Sequence, residues 1–83
     1  MVRYYFDVTD DKGVHPDETG VEYATLEQAK VEAARALAEM ARDRVPGPER
    51  LIFIIAVRDE RKNLLFEVRL TIEVLHVAAP IVH

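Results

Sequence analysis

The sequence predicts an α+β fold of order ββαββ: a four-stranded antiparallel sheet, strand order 2-1-3-4, with one helix packed on one face. Three observations predict it. Residues 3–9 alternate apolar and polar and run into Asp10-Asp11-Lys12-Gly13. An alanine-rich stretch opens at Thr25 and closes before Pro46. Two further segments follow, one apolar on both faces and one strictly alternating.

The first strand spans Arg3 to Thr9. Tyr4, Phe6 and Val8 share one face, and Tyr5, Asp7 and Thr9 share the other, as in a half-buried strand. The turn after it ends on Gly13, a residue suited to the positive φ that closes a hairpin. The return strand is short or broken. Val14 and His15 can pair, Pro16 lacks an N–H, and Gly20 to Tyr23 can resume the ladder, which leaves an acidic loop from Pro16 to Thr19 in the middle of an edge strand.

Thr25 is a good N-cap for the helix, and Gln28 stands at the capping-box spacing. Glu27 lies in the first turn and Arg42 and Arg44 near the end, each favoured there by the helix dipole. Leu26, Ala29, Ala33, Leu37 and Met40 form the expected apolar stripe. Glu27–Lys30, Glu32–Arg35 and Glu39–Arg42 are candidate ion pairs on the wet side. Pro46 ends the helix by disfavouring α geometry at Val45.

The third strand, Leu51 to Arg58, is apolar on both faces and therefore central. Asp59 to Asn63 is a charged turn. The fourth strand runs from Leu64 to about Leu75, with Phe66, Val68, Leu70, Ile72 and Val74 on one face and Glu67, Arg69, Thr71 and Glu73 on the other. Antiparallel hairpins joined by a right-handed helical crossover place the third strand beside the first. Residues 1–83 read as a single domain, with a core of about 2–75 and an apolar tail of 76–83.

Composition bounds the chemistry. The chain has 83 residues, of which 49% are hydrophobic, and its 15 Asp+Glu outnumber its 11 Lys+Arg for a net charge of -4. That balance gives no general attraction to nucleic acid. No apolar run is long enough to span a membrane. The absence of Cys removes disulfides and thiolate-held zinc, and it fits a cytoplasmic location. The chain also has no Ser, so nucleophilic catalysis of the Ser or Cys type has no nucleophile. Three isolated histidines form no zinc spacing, the acidic pairs match no calcium loop, and no glycine-rich phosphate loop is present. The expectation is a non-catalytic domain without cofactor or metal. A rival reading places a metal or small catalytic site at His15, Asp17 and Glu18.

The positive signal is excess apolar surface. One helix covers one sheet face, yet Ile52, Ile54 and Ala56 lie on the other. A domain of this size without disulfides has a thin margin of burial, so a second copy or the tail should cover them. The long last strand offers an edge for pairing. The expected interface comprises Ile52, Ile54, Ala56, Arg69, Thr71 and Glu73 with Val77 and Ile81 of the tail, and the expected partner is a second copy of the chain, with a further protein partner possible.

The motifs Arg3-Tyr4-Tyr5-Phe6, Asp17-Glu18-x-Gly20-x-Glu22, an alanine-rich helix and Val57-x-Asp59-Glu60 together resemble a family of small bacterial proteins known only as a domain of unknown function. Its members open R-Y-[YF]-F-x-[VL] and carry D-E-x-G-x-E before the helix. The resemblance covers about residues 3 to 66 and implies no activity. The family often has His where this chain has Asp7, and its members tend to end soon after the last strand begins. A second likeness, through Thr25-Leu26-Glu27-Gln28-Ala29, is to HicB-type antitoxins, and it implies a regulatory partner that binds a basic protein.

Overall fold

A computed structural model describes residues 1–44, 47 and 49–77. The elements are β1 (Val2–Asp10), β2 (Gly13–His15), β3 (Val21–Tyr23), α1 (Leu26–Arg44), β4 (Arg50–Arg58) and β5 (Leu64–Glu73). All strand pairs are antiparallel. The order is β2-β1-β4-β5, and β3 also pairs with β1. The α+β class with one helix and an antiparallel sheet holds. The expected four strands in order 2-1-3-4 are corrected to five, because the return from the first hairpin is two strands rather than one.

The break has a physical cause. β2 pairs Val8 with His15, and β3 pairs Tyr4 with Val21. Four steps along β1 are thus matched by six along the return. Pro16 supplies no donor and the two extra residues bulge outward, so the ladder stops and restarts. At the turn, Gly13 has φ +126° and the Asp10 carboxylate accepts the Lys12 N–H.

The core lies between α1 and one face of the sheet. Ala29, Ala33, Leu37 and Ala41 of the helix meet Tyr4 and Leu51, Phe53, Ile55 and Val57, all buried. The small alanines let the helix lie close to β4 and β5. The expected stripe shifts: Leu26 is 39% exposed, Met40 is only partly buried, and Ala41 is buried in its place. Steps of four residues from Ala29 set the contact line, and Met40 falls to its side. Tyr23 of β3 closes one end by stacking on Phe6 at 6.0 Å between ring centroids.

The cap forms with a variation. Thr25 Oγ1 accepts the Gln28 N–H, while Gln28 Oε1 accepts the N–H of Ala24. Glu27–Lys30 and Glu32–Arg35 pair as expected. The role expected of Pro46 and the tail beyond residue 77 lie outside the described residues.

Candidate functional site

Two features of the surface concentrate chemistry. The first is the loop between β2 and β3. Asp17 organises it: Oδ2 accepts the Phe6 N–H at 3.1 Å, and Oδ1 accepts the N–H groups of Thr19 and Gly20 at 3.0 Å each. The Phe6 N–H points toward β2 and β3 but has no strand partner at the break, so a side-chain carboxylate takes the place of a carbonyl. The Asp17 N–H in turn donates to Asp7 Oδ1 at 2.9 Å. Arg58, across the sheet in β4, grips Asp7 through Nε and Nη2 and lies 5.8 Å from the Tyr5 ring centroid.

Arg3 locks the loop from the other side. Its guanidinium donates to the carbonyls of Thr19 and Gly20 and to the Glu22 carboxylate. Gly20 has φ +73°, and a Cβ there would stand 2.9 Å from Arg3 Cγ and 3.0 Å from the Tyr4 carbonyl oxygen. Asp17, Gly20, Glu22 and Arg3 therefore build one loop. A cleft of about 320 Å³ opens beside it, lined by Tyr5, Pro16, Glu18, Arg58, Glu60 and Lys62 among others.

Two carboxylates of this network, Asp7 and Asp17, are already engaged. The Arg58 guanidinium holds the Asp7 carboxyl below the usual carboxylate range. Partial burial pushes Asp17 up, but the N–H groups of Gly20, Phe6 and Thr19 outweigh it and leave its carboxyl low as well. Groups so held are ionised acceptors at neutral pH and poor proton donors. His15 turns away to Asp10 at 3.2 Å. Among the described residues, no group of three or more His, Cys, Asp or Glu is arranged to hold a metal ion.

The second feature is the sheet face opposite the helix, together with the outer edge of β5. Cross-strand register places Ile52 beside Thr71, Ile54 beside Arg69, Ala56 beside Glu67 and Arg50 beside Glu73. Six of the expected interface residues thus share one face of two neighbouring strands. Ile52 is 37% exposed, Ile54 and Ala56 are half-buried, and Arg69, Thr71 and Glu73 are exposed. Val77 is 70% exposed, so its side chain is not buried against this face. Ile81 lies outside the described residues.

A family model described as a domain of unknown function matches residues 3–71. The chain belongs to the DUF6894 family. No curated protein and no solved structure matches it. The matched span includes the whole of the DUF6894 loop network and nearly all of β5.

Sequence reasoning placed Asp7 and Arg58 on strands but did not join them. The available signal was parity: Tyr5, Asp7 and Arg58 fall on one face once β1 is set beside β4.

The network should make this chain's stability depend on acid pH in a defined sense. The folded-state pKa values of Asp7 and Asp17 lie below their unfolded values, so below the ordinary carboxylate pKa of about 4 the unfolded chain binds more protons. Their contribution is complete above that pH and is lost as pH falls through the folded values. Asp7→Asn and Asp17→Asn should each lower the melting temperature at neutral pH and flatten its decline toward about pH 3. Thermal melts across that range check this; an acid limb as steep as wild type would remove the ionic role.

Proposed function

We propose that this DUF6894 chain is a non-catalytic protein-interaction domain that works as a homodimer, joined through β5 and the second sheet face. The open edge of β5 carries the reading. That strand is ten residues long, and among the described residues no strand pairs with its outer side. Such an edge presents unpaired backbone donors and acceptors, which proteins usually cover or blunt. Apolar surface flanks it on both faces. Phe66, Val68, Leu70 and Ile72 are only partly buried on the helix side, and Ile52 is exposed on the other.

The ionised, hydrogen-bonded carboxylates and the lack of Ser and Cys support a role without catalysis. They also weigh against an acidic docking loop for a basic, toxin-like partner, because Asp10, Asp11, Asp17 and Asp59 are engaged within the chain. The cysteine-free composition supports a cytoplasmic setting. No helix of the described residues is long and apolar enough to cross a membrane.

Light scattering at high micromolar concentration should return twice the mass of one chain, and the melting temperature should rise with protein concentration. A single-chain mass at every concentration would overturn the dimer.

A further inference from the structure

We infer that two copies join by antiparallel pairing of β5 about a twofold axis at Thr71, so that Arg69 of each copy faces the partner's Glu73. The inference rests on the dimer reading above and specifies its register.

Backbone direction sets the first constraint. Paired residues of an antiparallel ladder alternate between exchanging hydrogen bonds and not doing so. The Val74 N–H donates to the Glu49 carbonyl at 2.7 Å. Counting back in twos, Ile72, Leu70, Val68 and Phe66 turn their backbone groups toward β4, and Glu73, Thr71, Arg69 and Glu67 turn theirs toward the open edge. A second copy must set outward-facing residues opposite outward-facing residues, which leaves registers centred on single residues of β5.

Charge removes most of them. Centring on Glu67 or Arg69 sets that residue against itself. Centring on Leu70 sets Glu67 against the partner's Glu73. Like charges directly opposite one another are destabilising. Two centres, Val68 and Thr71, oppose Glu to Arg.

The bulge decides between these two. Val57 pairs with Phe66 but Arg58 pairs with Leu64, so Leu65 is an extra residue and the regular edge begins at Phe66. A dimer centred on Val68 runs into the bulge on both sides just past Phe66 and Leu70. One centred on Thr71 uses the regular stretch from Val68 to Val74. It matches Arg69 with Glu73 twice and Thr71 with Thr71, and it sets Leu70 beside the partner's Ile72 on the helix side. Each is a favourable cross-strand pair.

The chain has no Cys, so single cysteines report the register directly. At a hydrogen-bonded pair on the axis the two Cα atoms stand about 5.5 Å apart, within disulfide reach. Thr71→Cys should crosslink under diamide. Val68→Cys should not, because the two copies of that residue would be about 20 Å apart. R69E should weaken dimerisation about tenfold or more, R69E/E73R should recover most of the loss, and E67R should leave it near wild type. Crosslinking at Val68→Cys instead, with E67R as damaging as R69E, would overturn the Thr71 register while leaving the dimer standing. A monomeric wild-type chain by light scattering would overturn both.

Discussion

Replacing Gly20 with alanine is expected to lower stability by about 2–4 kcal/mol and the melting temperature by about 10–20 °C. Two costs add. The φ of +73° is one that a residue with a Cβ rarely adopts, and that Cβ would press on Arg3 Cγ, the Tyr4 carbonyl oxygen and the Tyr5 ring at 2.9–3.0 Å. The carbonyl cannot yield, because Tyr4 is held in the ladder with Val21. The Arg3 stem cannot yield without releasing the carbonyls of Thr19 and Gly20. Gly13 is the internal control. Its φ is also positive, at +126°, well outside the left-handed helical region, but a Cβ there meets nothing within 4 Å, so Gly13→Ala should cost only a backbone share, about 1–3 kcal/mol. Thermal melts of both variants check this; a Gly20→Ala loss below about 1 kcal/mol would show that neither the positive φ nor the close packing is costly there.

Phe53→Ala is expected to cost about 3–5 kcal/mol, a large part of the roughly 4–12 kcal/mol available to a domain of this size. Phe53 is 1% exposed and belongs to the buried cluster that also holds Leu37 and Ala33. Its neighbour Ile52 points to the opposite face and is 37% exposed. Ile52→Ala should therefore cost the fold only about 1 kcal/mol. Denaturant melts of both variants test the contrast. If Ile52→Ala destabilised the fold as much as Phe53→Ala, the second face would be as closed as the first.

Much of this fold is legible along the chain. The alternation of Arg3 to Thr9, the turn into Gly13, the Thr25 cap and the doubly apolar Leu51 to Arg58 are each set by residue types within a short window. The interruption at Pro16 is legible too, since a residue without an N–H cannot continue a ladder. Its consequence is less so: whether the return is one strand or two depends on how many residues bulge before pairing resumes. Leu26 and Met40 illustrate a similar limit. Both are apolar at plausible spacing, yet the line of contact runs through Ala29, Ala33, Leu37 and Ala41.

The surface features divide in the same way. Local pattern alone determines that Ile52, Ile54 and Ala56 share a face with Arg69, Thr71 and Glu73 once the strands are adjacent. It also determines that the chain lacks the nucleophiles of Ser and Cys chemistry. Tertiary structure decided that Asp7 meets Arg58, 51 residues away, and the Asp17 loop, ten residues away. It decided as well that Leu65 is extruded, and so where the free edge of β5 is regular. Periodicity is a property of neighbours and survives in the sequence, whereas ion pairs and bulges arise only when distant segments are brought into register against one another.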